Sequence, residues 1–421
     1  MLKAGSLFYA VIISLIMSLI SGSLILSSYL SGFQTDQFFI QQRLTRNAYS
    51  GLNLLRSDQK LIGLNSKISV DLFLEGSDSV EMTRKIWGAY EILISRTKFK
   101  NIQASFIALS GSSYLKEDNF SIYLADDNKP LALSGNTIIK GLAYLPGAGV
   151  TTAYVDGKNY SGSVLIDGTV KKSQNKLPEF NKDITGSIKT ILSAGKLSVD
   201  DSVIAIGNTL ENDSIYVSHL QRSLVFRNSS ALRISDIICS GNIGIVSSGL
   251  ITISSSAELN DVVVYARKVI VEEGFKGSIQ VFASDSIIIQ KNVNLNYPSV
   301  LGLIPNSRSP DFAGIVLNEN DTLSGSAFAW RDEREKTKKV GIVINAGATV
   351  TGEVFSSGTA EVRGTINGSL MCNKITLQTS SSAYENHLLD ARIIVAARSP
   401  FFTGINLVKR PGSKKTVKWL N

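Results

Sequence analysis

Two histidines, His219 and His387, and two cysteines, Cys239 and Cys372, occur in the 421 residues, and none of the four has another donor at ligand spacing. The chain contains no His-x-x-His, Cys-x-x-Cys or His-Glu-x-x-His, the spacings that bring two donors to one metal. A serine nucleophile would call for an elbow such as Gly-x-Ser-x-Gly, and a phosphate cradle for Gly-x-x-x-x-Gly-Lys-Ser/Thr; neither is present. The remaining candidates are carboxylates: Asp200, Asp201, Asp213, Asp236, Glu258, Asp261, Glu272, Glu273 and Asp285. A row of acids along stacked strands can hold calcium or do acid–base work on a polysaccharide. Neighbours on one strand point to opposite faces, so Glu272 and Glu273 make a poor pair unless the chain turns there. Solvated surface acids are the plainer reading. No catalytic, cofactor-binding or metal-ligating residue is assigned, and the chain reads as non-enzymatic. Cys239 and Cys372 lie in apolar strand-like runs and read as buried thiols acting as small hydrophobes.

The elements that would position any site begin with a long apolar segment. The 32 residues from Ala4 to Thr35 carry no charge. Leu7, Phe8, Ile12, Ile13, Leu15, Ile16, Leu19, Ile20, Leu24 and Leu26 form its greasy body. A helix over Leu7–Leu30 would extend roughly 36 Å, enough for a hydrocarbon core of about 30 Å with some tilt. A cleaved secretory signal has a core of only about 7–15 residues, followed by small residues at the cut. Here Tyr29 and Leu30 interrupt the candidate cut, so a retained anchor over residues 1–31 is expected. Lys3 precedes the span, while Arg43 and Arg46 follow it, which gives no clean charge bias. The Ser-, Asn- and Gly-rich remainder reads as exported. That predicts a single-pass inner-membrane protein with its body in the periplasm or at the cell surface, and with membrane lipid as its first partner.

Residues 32–60 continue as a predicted amphipathic stalk helix. Ile40, Leu44, Ala48, Leu52 and Leu55 make one stripe, with Gln41, Gln42, Arg43, Arg46 and Asn47 off it. That stripe must pack on the β region downstream or on a neighbouring copy, and Ile40, Leu44, Leu52 and Leu55 are the candidate partner-docking residues. Residues 61–130 read as a small β or α+β region. Ser121–Leu133 is expected to form two strands around the turn Asp126–Lys129, and Asp156-Gly157 marks another turn.

From 131 to 395 the chain repeats itself. Gly135-Asn-Thr-Ile-Ile-Lys-Gly141 and Gly162-Ser-Val-Leu-Ile-Asp-Gly168 share one frame. Leu250–Ile253, Val269–Val271 and Ile287–Ile289 end on apolar residues at 253, 271 and 289, two steps of eighteen. Val350-Thr-Gly-Glu-Val354 recurs as Ile366-Asn-Gly-Ser-Leu370. Short strands with small or polar corners at a fixed step predict stacked rungs that pair in parallel and send their apolar side chains inward. The expected fold class is therefore mainly β: an N-terminal transmembrane and stalk helix, a small β region, and a right-handed parallel β-helix (solenoid). Loop excursions are expected near 296–311, where three prolines fall, and near 330–339, which is densely charged. Residues 396–421 read as a strand over Phe402–Val408 and a basic tail that would cap the open end of the stack.

Two resemblances accompany this reading. The leader Met1-Leu-Lys-Ala-Gly5, the apolar helix that follows it, and the continuation Asn47-Ala-Tyr-Ser-Gly-Leu-Asn-Leu-Leu55 resemble the N-terminus of type IV pilin-like proteins, above all the minor pilins of the assembly machinery. The resemblance implies processing after Gly5, leaving Ser6 first, and partners among envelope or pilus-assembly proteins. Ala10 stands where the family's major subunits carry glutamate, a residue that minor members can lack. Residues 350–354 and 362–370 are similar to the rungs of bactofilin-type β-helices, which implies a structural scaffold without a catalytic centre.

Charge fits this picture. Lys and Arg number 43 against 35 Asp and Glu, a net +8 that is modest for this length; a solubility role is the plainer reading, and attraction to anionic surfaces such as lipid headgroups or an acidic glycan is the other. Acidic residues are interspersed and no stacking sheet or Arg-rich helix appears, so nucleic acid is not an expected partner. The expected function is that of a membrane-anchored structural or adhesive envelope protein; the alternative is a β-helix that binds or degrades polysaccharide.

Overall fold

The computed structural model describes residues 4–57, 62–73, 76, 78–112, 119–194, 201–332, 337–408 and 414–420. The fold is mainly β, with one long N-terminal helix, α1 (Ala4–Ser57), and a shorter one, α2 (Lys182–Ala194). The chain divides into two compact units, residues 1–84 with 93–106 and residues 85–92 with 107–421.

In the first unit, α1 is uninterrupted over 54 residues, about 80 Å at the α-helical rise. Its first half is exposed. Its last turns bury Leu44, Asn47, Ala48, Gly51, Leu52 and Leu55. The surface they meet carries Val80, Met82 and Ser95; a Cβ on Gly51 would come within 2.5 Å of the Val80 side chain and 2.6 Å of Ser95 Oγ. Glycine at 51 is what lets helix and sheet approach so closely. Polar contacts fix the register of this packing. The Thr97 hydroxyl donates to the Leu44 carbonyl at 2.9 Å, and Asn47 Nδ2 donates to Asp78 at 2.9 Å. Ser66–Val70 pairs antiparallel with Val80–Arg84 within the same unit.

The second unit is built almost wholly from parallel pairings that close on themselves. The sequence periodicity is realised as register. Ile234 pairs with Ile253, Ile253 with Val271, Val271 with Ile289, then Leu317, Ile344 and Val362 in turn. All seven are buried. A second column runs beside it through Ile251, Val269, Ile287, Ile315, Ile342, Ala360 and Ile375. Each fully buried aliphatic side chain of this kind contributes about 1.5–3 kcal/mol, and the parallel ladder satisfies the backbone groups that such burial takes out of water. The step of eighteen lengthens after Ile289 because additional residues, among them the loop 304–311, fall between the paired strands.

Turns between the paired strands use residues that accept left-handed backbone. Asn292, Asn320 and Gly347 have φ of 61°, 61° and 84°. Asparagine side chains continue the ladder outside the strands: Asn345 Nδ2 donates to Asn318 Oδ1 at 3.0 Å, and Asn318 Nδ2 to the Ile289 carbonyl at 2.6 Å. The Asp321 carboxylate accepts the N–H groups of Val293 and Asn318 at 3.0 and 2.6 Å. Burial nonetheless raises its pKa to about 6.

Several expectations are corrected. Asn294–Leu303 is a strand paired on both sides, so the excursion begins only at residue 304. Pro298, which has no N–H to give the ladder, falls where the register with both neighbours jumps between Leu295 and the next pair. Phe120–Leu124 belongs to the parallel sheet, against Leu370–Cys372 on one side and Leu142–Tyr144 on the other. The stack is therefore out of sequence order: Ile366 pairs with Ile393, and Ile393 with Ile139. Phe402–Val408 is not a strand but holds isolated bridges at Gly404 and Val408. The tail does not cap the stack; Lys414–Trp419 pairs antiparallel with Ala108–Ser112. Part of the charged excursion, residues 333–336, lies outside the described residues.

Candidate anchor and contact surfaces

The anchor residues Leu7, Phe8, Ile13, Leu15, Ile16, Leu19, Ile20, Leu24 and Leu26 are all exposed on α1, and Ile12 is partly so. The most apolar 18-residue window of this helix has a mean hydropathy of 2.3 and none of it is buried within the protein. An α-helix satisfies its own backbone, so such a segment is long and apolar enough to cross a bilayer. Gly5 and Ser6 lie in its first turn, and a Cβ on Gly5 would meet nothing within 4 Å.

The partner-docking assignment on the stalk is corrected. Leu44, Leu52 and Leu55 are buried within their own unit, and Ile40 is partly buried. The stripe carries helical periodicity because the chain's own sheet covers it, not a neighbour. Beyond the span, Phe33, Phe38, Phe39 and Tyr49 are the exposed large side chains of α1; Tyr49 meets Phe106 edge-on at 5.7 Å, and Arg43 lies 5.4 Å above the Phe99 ring.

The candidate acids are dispersed by the fold, and Glu272, Glu273, Asp285 and Asp261 are engaged by structural partners. Glu272 accepts hydrogen bonds from both terminal guanidinium nitrogens of Arg233, at 2.6 and 2.9 Å, which holds its carboxyl below the usual range. The chain does turn at Glu273, which instead accepts from Asn292 at 2.9 Å. Asp285 binds Arg267, and Asp261 binds Lys418 at 2.6 Å. Asp236 holds a turn with φ of 52°, and Asp213, Glu258 and Asp201 stand on separate strands or their approaches; Asp200 lies outside the described residues. Among the described residues no three His, Cys, Asp or Glu side chains are grouped as a metal site.

The four residues with the richest chemistry are also tied into packing. Cys239 and Cys372 are buried free thiols, and burial pushes Cys239 up to about 11 and Cys372 higher still. Both are too weakly acidic to supply a thiolate at neutral pH. His387 Nδ1 lies 2.7 Å from the Glu385 carbonyl. His219 is buried edge-on to Trp87, with ring centroids 5.2 Å apart and no hydrogen-bond partner for either nitrogen among the described residues. Burial, reinforced by Lys418 and opposed by Asp261, lowers its pKa to about 4.

Arg227, Arg267 and Arg308 line one groove of the parallel stack. Nothing in their sequence spacing marks them, since Arg227 and Arg267 come from paired strands and Arg308 from the loop after Asn294–Leu303.

The chain matches no protein-family model, and neither a curated protein nor a solved structure aligns with it.

Proposed function

We propose that this protein is a non-enzymatic, membrane-anchored envelope protein, structural or adhesive, whose body is a right-handed parallel β-helix working as a contact surface. Rung-to-rung register through two continuous apolar columns supports the β-helix, as do the asparagine ladder and the left-handed corners. Right-handedness follows the general rule for parallel crossovers. The observation that carries the anchoring is the division within α1: its leading half exposes an uncharged apolar surface while its last turns are packed in their own unit. A helix with one end built into a folded body and the other free of it is suited to holding that body at a bilayer. The minor-pilin-like leader around Gly5 favours the inner membrane of a bacterial-type envelope, with the body on the periplasmic side or at the cell surface, among pilus-assembly partners. The engagement of Glu272, Asp285 and Asp261 by basic side chains supports contact rather than hydrolysis or lyase chemistry.

The test is in-cell photo-crosslinking of the full chain, with the reactive side chain at exposed Tyr216 or Phe401. The proposal expects discrete adducts with envelope proteins or with further copies, found in the membrane fraction. A chain that stays soluble, gives no adduct and cleaves acidic polysaccharide would replace it with the enzymatic reading.

A further inference from the structure

Among the described residues, the parallel strands of the second unit stop at two open ends. At one, Ser202–Ala205, Thr209–Leu210 and Ser214–Val217 each pair on one side only, with Leu224–Arg227, Arg233–Ile234 and Ile238–Gly241. At the other, Val170–Lys172 pairs only with Ala143–Leu145, and Val150–Thr152 only with Leu131–Leu133. Such edges present backbone N–H and C=O groups that no strand satisfies. Ser202–Ala205 and Val170–Lys172 are exposed at every residue. Apolar side chains stand open with them: Val203, Ile204 and Tyr216 at the first end, Val164 and Val170 at the second. Ile206, Ile215 and Val217 pack against the core yet are only partly buried, so the apolar interior reaches the first end without a cover.

The two ends match each other. One run of parallel pairings leads from Ser202–Ala205 through Leu224–Asn228 to Leu370–Cys372, Phe120–Tyr123, Leu142–Leu145 and finally Val170–Lys172. A second leads from Ser214–Val217 to the parallel bridge between Lys140 and Asp167. Strand direction is therefore the same at both ends. Their charges are opposite. Asp201, Glu211 and Asp213 are the only charged residues from 201 to 217, whereas the last strand at the other end carries Lys171 and Lys172. Like ends would bring acids to acids or lysines to lysines; unlike ends attract.

We propose that the second unit associates end to end with further copies of this chain, Val170–Lys172 of one copy beside Ser202–Ala205 of the next. The contact repeats, in direction and column, the pairing already present inside each copy. A lone peptide strand would cover one column, whereas a second copy covers both columns and the apolar side chains between them. Because the contact joins unlike ends, it extends into an open polymer rather than closing as a dimer. The proposal rests on the reading of the parallel strands as a stacked contact body, and it names a second copy as the partner of that body.

The experiment uses the full chain in detergent micelles at low salt, with Val170→Cys and Val203→Cys introduced together and a flexible bis-maleimide as crosslinker. The native thiols, Cys239 and Cys372, are buried. A ladder of dimer, trimer and higher species is expected from the double variant. Each single variant alone is expected to give none, and the two mixed to give dimer only. Adding Lys171→Glu with Lys172→Glu should lower the crosslinked yield at least ~10-fold by setting like charges against each other. No ladder, dimers from either single variant alone, or an undiminished yield after charge reversal would each overturn the proposal. Leu250→Cys with Lys268→Cys, at paired positions, is expected to form a disulfide within one chain. Its absence would sink the reading of the stack itself, whereas its presence without the ladder would sink only the association.

Discussion

His219 shows how a lone titratable residue can be structural. Its ring stacks edge-on to Trp87, buried and without a hydrogen-bond partner among the described residues, so the folded state prefers it neutral. In the unfolded chain it takes a proton near pH 6.5. The folded pKa is the lower of the two, so its contribution is complete above about pH 6.5 and is lost as pH falls toward 4. Over that window the loss approaches ~3 kcal/mol, and His219→Leu should flatten it. Chemical denaturation at pH 7 and pH 4.5 checks this; equal pH slopes in the two proteins would refute it. Gly352 makes the complementary point about backbone. Its φ is 147°, and a Cβ would lie 1.8 Å from the Gly325 carbonyl oxygen of the strand beside it. Gly325 and Gly368, its partners on either side, share that conformation. Gly352→Ala should therefore cost about 3 kcal/mol or more, combining backbone strain and overpacking, read as a fall in thermal midpoint. An unshifted midpoint would mean that the strands are not packed as described.

At the scale of elements, α1 is two things in one helix. The membrane half is set by composition, the other half by packing. Leu52 is fully buried, so Leu52→Ala should destabilise the first unit by about 2–5 kcal/mol. A Leu52→Lys chain should lose the unit's near-UV signal rather than merely lose a partner. Retention of that signal with loss of crosslinked adducts would restore the docking reading. The stripe itself was legible from Ile40, Leu44, Ala48, Leu52 and Leu55, because helical periodicity is local. What covered it was not, because Val80, Met82 and Ser95 lie far away in sequence. The parallel strands divide in the same way. Ile253, Val271 and Ile289 announced themselves by constant spacing, and Val350 with Ile366 by repetition, and each pair is in register. Ile393 against Ile139 could not be anticipated, since no period connects them. Pro298 misled in the opposite sense, because a strand can step over a proline where its register jumps. The groove arginines were invisible for a related reason: Arg227, Arg267 and Arg308 line one groove from two strands and a loop that no sequence period connects.

At the scale of the whole molecule, the proposed function divides between α1, which retains the chain at the membrane, and the paired parallel strands, which make the contacts. The two assignments separate experimentally. An Ile16→Asp, Leu19→Asp variant places two charges in the middle of the apolar window. It should release much of the chain from membranes while leaving the β signal of the body intact, since each buried charge costs about 2.5–3.5 kcal/mol in the bilayer centre. The most direct test of the central claim is intact mass spectrometry on the native protein after alkaline carbonate extraction of membranes. The account predicts a protein that stays in the carbonate-resistant pellet with its apolar segment present, its mass starting no later than Ser6. A carbonate-soluble protein whose mass begins beyond residue 30 would contradict it, making the leading helix an export signal and leaving the parallel stack without an anchor.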